Sequence, residues 1–303
     1  MLSAMDPKRV SQTALLVTLY RALDVEHLEP PVLGDAFAAR LLSVGESVEY
    51  ESAVHAMFVA AHPDLAPLSW REALREGCRR NRAKLPRVLL RARFADDVLE
   101  TALARGTTQC VIVGAGLDTF VFRRPDLARR VATFEVDHPA TQVEKRRRLA
   151  RAGLEVPAAH HFAACDLESE DIARALAKLP FDASAPTFFA WLGVVPYLTH
   201  AAIEATLRSI RRAATRCDVV FDYVLDTSLD RPSPSAELRA LRELLVRYGE
   251  PILSGFEPAA LREQLASLGF EVVRDTDPEI LHEGYARRPG ESSVGRLLHA
   301  RAR

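Results

Sequence analysis

The chain has 303 residues, of which 48% are hydrophobic and 27% charged, with a formal net charge of -1. That composition is that of an ordinary soluble globular protein, and the length suits one large α/β domain with an appendage better than two equal domains. Near-neutrality excludes a field that would gather nucleic acid or an anionic membrane surface. No apolar run approaches the ~20 residues that cross a bilayer. The early run Thr13 to Tyr20 is too short for a signal segment and lacks a cleavage pattern after it, so a cytoplasmic protein is expected. Cys78, Cys110, Cys165 and Cys217 lie far apart with no CxxC pair, which reads as reduced core residues; no metal site is expected.

The chain divides near residue 105, into a helical region 1–105 and an alternating region 106–303. In the first, Leu15, Leu16 and Leu19 fit one helix face and Phe37, Leu41 and Leu42 another, while Trp70, Leu74 and Cys78 recur four apart on a third. Pro86 opens a helix that carries Leu90, Phe94, Val98 and Ala102 on one side and ends near Gly106. In the second region the apolar run from Cys110 to Val113 predicts a buried strand that breaks at Gly114-Ala115-Gly116. A second strand, Val131 to Asp137, precedes a basic helix that starts at Pro139 and ends at Gly153. A third, about His161 to Cys165, leads through Asp166-Leu167 to a helix over Ile172 to Leu179. A fourth, Thr187 to Leu192, leads to Thr199 as an N-cap and a helix with the stripe Ile203, Leu207, Ile210. A fifth strand, Val219 to Leu225, precedes a helix with Leu238, Leu241, Leu245 and Tyr248. Pro258 and Gly269 then bracket a helix, and Phe270 to Val273 begins a last strand. Such alternation predicts a parallel, doubly wound sheet covered on both faces, with its ligand beyond the carboxyl ends of the strands at the switch point.

The glycine loop after the first strand and the acid Asp137 at the tip of the second predict a nucleotide-like ligand. Glycines let a ligand lie against the main chain, and the acid stands where a ribose offers its hydroxyls. Two ligands compete, a dinucleotide and S-adenosylmethionine. A pyrophosphate needs a third glycine and an uninterrupted helix N-terminus. Here Thr119 occupies the third position, Asp118 adds a repelling charge, and Pro125 limits any helix to about two turns. The residues favour a phosphate-free, cationic nucleoside; an NAD(P)-dependent oxidoreductase and a non-catalytic nucleotide- or partner-binding protein of the same fold stay as alternatives. Asp118 fits a helix cap as well as a ligand contact, Asp137 a helix cap, Asp166 a plain turn and Arg91 a surface ion pair. His160-His161 lack ligand spacing, Lys145 to Arg148 reads as a solvated helix face, and Trp191 and Phe188 as core.

The ordered strings VIVGAGLDTFVFRRPDL, FEVDHPATQVEKRRRL, ACDLE, FFAWLGVVPYLT and VVFDYVL, with the Arg91 to Asp96 segment, run within a stretch from about Ser11 to near Asp277. This pattern resembles the leucine carboxyl methyltransferase-like family of S-adenosylmethionine-dependent methyltransferases, and within it the bacterial O-methyltransferase branch, some of it associated with secondary metabolism. The resemblance implies a class I Rossmann-like methyltransferase: a seven-stranded, mostly parallel sheet with one antiparallel strand, helices on both faces and a helical N-terminal lid. By position it implies Gly114 and Gly116 against the methionine part of the cofactor, Asp118 beside them and Asp137 on the ribose. Asp166 and Leu167 would hold the adenine, and Arg91 the cofactor carboxylate, with Arg93 the alternative if the register slips by two. Leu192 stands where many relatives carry a glutamate, so a contact to the methionine ammonium is lost or supplied elsewhere. The methyl acceptor is expected to be a small molecule, a carboxylate or a secondary metabolite. A carboxylate is ionised at neutral pH and needs no general base, whereas a hydroxyl would; Tyr197, His200, Asp222 and Tyr223 are the candidates near the mouth.

Overall fold

The computed structural model describes residues 11–80, 86–226, 242–243, 245–277 and 295–302. Five helices come first: α1 (Gln12–His27), α2 (Ala38–Leu41), α3 (Val44–Ala61), α4 (Trp70–Arg80) and α5 (Pro86–Ala104). Then strands and helices alternate: β1 (Gln109–Val113), single-turn helices α6 (Phe120–Arg123) and α7 (Pro125–Ala128), β2 (Ala132–Asp137), α8 (Pro139–Arg151), β3 (His160–Ala164), α9 (Ile172–Leu176), β4 (Thr187–Trp191), α10 (His200–Ala213) and β5 (Cys217–Val224). Helix α11 (Pro258–Ser267) and strands β6 (Phe270–Thr276) and β7 (Gly295–Ala302) complete the described elements. The expected helix around Leu238 and Leu241 falls on residues outside those described.

The strands form one seven-stranded sheet in the order β3-β2-β1-β4-β5-β7-β6. The first five pair in parallel and β7 runs antiparallel to both neighbours. Every residue of β1 and β4 is buried, as continuous apolar runs require of central strands covered on both faces. From β1 the chain winds outward to β2 and β3 on one side and then crosses back to β4 and β5 on the other, so the switch point lies between β1 and β4. One face is packed by α9, α10 and α11, where Ile203, Leu207 and Ile210 are fully buried beside Phe189, Trp191 and Phe221. Burying each such aliphatic side chain contributes about 1.5–3 kcal/mol. Thr199 caps α10 as expected, accepting the Ala202 N–H at 3.2 Å. The other face is covered by α5 through Phe94, Leu99 and Leu103, so the core runs without a break across the sequence boundary at 105.

One helix goes beyond the sequence reading and two readings are corrected. Helix α3 carried no expectation; its buried stripe Tyr50, Val54, Phe58 is diluted by the exposed Val44 and Val48, and its clearest signal is the capping box of Ser43 and Glu46. Trp70 is 40% exposed and stacks on His55 rather than joining the core. The basic run of α8 is only half solvated. Arg146 and Arg147 face out, but Lys145 and Arg148 are buried. Lys145 Nζ lies 2.6 Å from Glu135 Oε2, with both side chains 2% exposed. Arg148 reaches Glu46 and the Leu41 carbonyl, fastening α8 to the N-terminal helices. Removing one partner strands a buried charge, so Lys145→Ala is expected to lower unfolding stability by about 3–5 kcal/mol in urea titrations, and the double change Glu135→Leu with Lys145→Met to recover most of it.

Strand β7 carried no residue-level expectation, since its two basic residues and His299 mask its apolar face. Asp218 accounts for two of them: it lies 2.6 Å from His299 Nε2 and 3.0 Å from both Arg105 and Arg301, tying β5 to β7 and to the end of α5, while Arg296 meets Asp275 of β6 at 2.6 Å. Burial alone would raise this carboxyl; the His299 and Arg105 contacts outweigh it and hold the group down at about 2, against 3.8 for the free side chain. A depressed acid contributes stability above its unfolded value that is lost as pH falls through its folded value. Denaturation midpoints are therefore expected to stay level above pH 5 and to fall between pH ~4 and ~2, with Asp218→Asn showing a shallower acid limb.

Candidate functional site

A cavity of about 790 Å³ opens over the carboxyl ends of β1, β2 and β4, at the switch point. The loop that forms its floor exists because the chain turns sharply after β1. Gly114 and Gly116 both take positive φ, +65° and +50°. A Cβ on Gly114 would overlap Val194 Cγ2, and one on Gly116 would stand 3.3 Å from Ala14 of α1. The glycines thus permit close approach from two sides, by the segment after β4 and by the first helix. α1 is held over the loop at both ends. At its start, Glu250 accepts the Gln12 and Thr13 N–H groups at 2.8 and 3.1 Å, the Ser11 hydroxyl at 3.0 Å and the Thr13 hydroxyl. Further along, Arg21 pairs with Asp118 at 2.9 Å.

Asp137, Gly114, Gly116, Asp118, Asp166, Leu167, Leu192 and Arg91 all line this one cavity. Asp137 ends β2 and is not the cap of α8, a role taken by His138. Its Oδ2 accepts the Gly116 N–H at 2.5 Å and its Oδ1 the His138 N–H at 2.6 Å, so it pins the glycine loop to the second strand. Burial pushes its pKa up, against those two N–H donors. Asp118 joins both readings, accepting the Phe120 N–H at 2.6 Å while lining the cavity. Burial would raise it, but Arg21 and Arg123 hold it well below the usual carboxylate range. Asp166 organises its own turn, accepting from the Glu168 N–H at 3.0 Å and the Ser169 hydroxyl at 2.9 Å, with Leu167 half-buried beside it. Of the two arginines weighed for the cofactor carboxylate, Arg93 has a 56% exposed side chain and pairs with Asp97, whereas Arg91 lines the cavity.

Of the candidate catalytic side chains only Tyr197 lines the cavity. Burial pushes its phenol up to about 12, so it is a neutral hydrogen-bond donor and not a base at neutral pH. Tyr223 is corrected: it is buried on the other side of β5 and lies 2.9 Å from Asp275, the inevitable outcome of strand alternation once Asp222 faces α5. His200 is exposed at the start of α10 with its ring edge against Phe256. Sequence reading passed over Arg21, the buried Asp96–Arg123 pair and Glu250, all in the cavity wall. Their partners lie 14 to 239 residues away, and no local pattern signals such pairs.

The wall fits a cationic nucleoside cofactor. Carboxylates outnumber guanidinium groups in it, Arg21, Arg91 and Arg123 each have an acid partner, and the helices after the loop are single turns broken at Pro125, too short to cradle a pyrophosphate. The 3-2-1-4-5-7-6 order, the reversed β7 and a cavity at the switch point define the class I methyltransferase fold. A protein of the DUF574 family from Streptomyces avermitilis shares this fold, with a TM-score of 0.54 at 14% identity over 78% of this chain and 91% of that one. The leucine carboxyl methyltransferase family model matches residues 14–211. The Bacillus subtilis (strain 168) protein named "Putative S-adenosyl-L-methionine-dependent methyltransferase YktD" is 32% identical over 71% of each chain. A Mycobacterium tuberculosis (strain H37Rv) protein of the same description is 31% identical over 89% of this chain and 76% of its own. The chain belongs to the leucine carboxyl methyltransferase family and is thereby an S-adenosylmethionine-dependent methyltransferase.

Proposed function

We propose that the protein methylates an oxygen of a small molecule inside this cavity, with Arg91, Gly114, Gly116, Asp118, Asp137, Asp166 and Leu167 holding the cofactor. The observation that carries this reading is the Asp137 carboxylate pinned to Gly116 at the switch point, between the two strand tips where a nucleoside lies in such folds. When bound, S-adenosylmethionine supplies a methyl group on a sulfonium, an electrophile that needs no metal. The lone pairs that Asp137 leaves free would accept from the ribose hydroxyls, and Asp166 and Leu167 would hold the adenine. Arg91 offers its remaining N–H donors to the cofactor carboxylate. Leu192 keeps the wall beside Gly193 apolar.

The residues up to 105 act as the lid and acceptor-side wall. Leu16, Val17 and Tyr20 of α1 give that wall its apolar surface, and Leu245 and Leu253 add to the cavity lining on either side of Glu250 in the chain. Excluding water and holding the acceptor in line supply most of the rate enhancement in such a displacement. Tyr197, as a neutral donor, orients an acceptor oxygen and does not remove its proton; this favours a carboxylate acceptor, which arrives ionised. Among the described residues no helix is long and apolar enough to cross a membrane; a cytoplasmic location is proposed with the small-molecule reading.

Calorimetry with S-adenosylhomocysteine beside NAD(H) and NADP(H) tests the site. Dinucleotide binding without S-adenosylhomocysteine binding rejects it. Methyl-labelled cofactor incubated with candidate acceptors then separates an enzyme from a silent binder. A product whose label is released by mild base as methanol is an ester, and one that resists is not the product of carboxylate methylation.

A further inference from the structure

We infer that Asp222 is a positioning residue: it fastens Arg91 to the turn after β4 so that the guanidinium is presented to the amino-acid end of the cofactor. This deepens the reading that S-adenosylmethionine occupies the cavity, and rests on it. One carboxylate joins two distant segments. Asp222 Oδ2 lies 3.2 Å from Arg91 Nη1 on α5, and Oδ1 accepts the Gly193 N–H at 2.5 Å. Gly193 takes φ +69°, and a Cβ there would overlap the Arg91 guanidinium, so the arginine lies directly against the backbone of that turn. Arg91 and Gly193 line the cavity while Asp222 stands behind them.

The arrangement has a chemical logic. Of the cofactor's charged groups only the carboxylate is an anion, and a guanidinium recognises it through paired N–H donors in a fixed fork. The contact to Asp222 engages Nη1 and leaves the other donors for that task. Without the carboxylate behind it, a long arginine side chain recovers its rotamers and the fork is no longer held. Leu192, next to Gly193, brings no charge. The acid at this corner therefore comes from β5, where strand alternation turns Asp222 toward α5 and Tyr223 toward Asp275.

Two probes isolate the effect: S-adenosylhomocysteine, which has the amino-acid tail, and 5′-methylthioadenosine, which lacks it. Asp222→Ala is expected to weaken calorimetric affinity for the first by about tenfold or more, while the second changes by less than about twofold. Asp222→Asn keeps an acceptor for the Gly193 N–H and should fall between; it carries the test if the alanine variant does not fold. Arg91→Ala leaves Asp222 unpaired beside the incoming carboxylate, so adding Asp222→Ala to it should give no further loss, or tighter binding. Equal weakening of both probes, additive losses in the double variant, or unchanged affinity in folded Asp222→Ala overturns the inference. If the unaltered protein binds neither probe, the cofactor reading itself fails, which is a different result from failure of the positioning role alone.

Discussion

Asp137→Ala is expected to weaken S-adenosylhomocysteine binding at least about tenfold, measured by calorimetry on protein whose melting shows it folded. The side chain has two duties. It accepts the Gly116 and His138 N–H groups, which orders the loop and the start of α8, and it is the half-buried acceptor at the tip of β2 that lines the cavity. Hydrogen bonds to a charged group are each worth about 1.5–3 kcal/mol, and 1.4 kcal/mol is a factor of ten, so losing two ribose bonds alone exceeds tenfold. Asp137→Asn separates the duties. An amide oxygen still takes one N–H, but its NH₂ confronts the other donor, so loop order and affinity should both fall, with less effect on stability than alanine. Unchanged affinity in a folded Asp137→Ala protein would reject the ribose role.

Gly114→Ala is expected to abolish detectable cofactor binding and to lower unfolding stability by about 2–4 kcal/mol, the sum of a left-handed backbone and an overpacked contact. Gly114 has φ +65°, and its missing Cβ is replaced in space by Val194 Cγ2. Shortening the neighbour with Val194→Ala relieves the contact but not the backbone cost. The double variant should therefore regain part of the stability in urea titrations and little of the affinity. Full recovery of both would show that the steric contact alone makes glycine necessary there.

The parts of the fold read most faithfully were those buried on both faces. β1 and β4 stood out as uninterrupted apolar runs because central strands of a parallel sheet present no polar side, and α10 stood out because Ile203, Leu207 and Ile210 form one continuous stripe. Elements whose surroundings are mixed did not. β7 alternates around His299 and Arg301, which meet Asp218 of β5, and Arg296, which meets Asp275 of β6, and α3 exposes two of its valines. Lys145 shows the same failure in a single residue: a lysine in a basic run reads as solvated unless its partner, Glu135 on the adjacent strand, is known to face it.

The site was legible where chemistry is carried by the backbone or by a strand tip. Two glycines after an apolar run, an acid at the end of the next, and a proline too close to allow a long helix are local statements, and they already point to a phosphate-free nucleoside beside Asp137. Only the folded chain placed Arg91 in the cavity wall and Arg93 at the surface, turned Tyr223 away while leaving Tyr197 in the wall, and joined Arg91 to Asp222. The reason is range. Backbone conformation and strand ends depend on neighbours along the chain, whereas a paired charge depends on a partner 97 or 131 residues away that only packing brings within 3 Å or so.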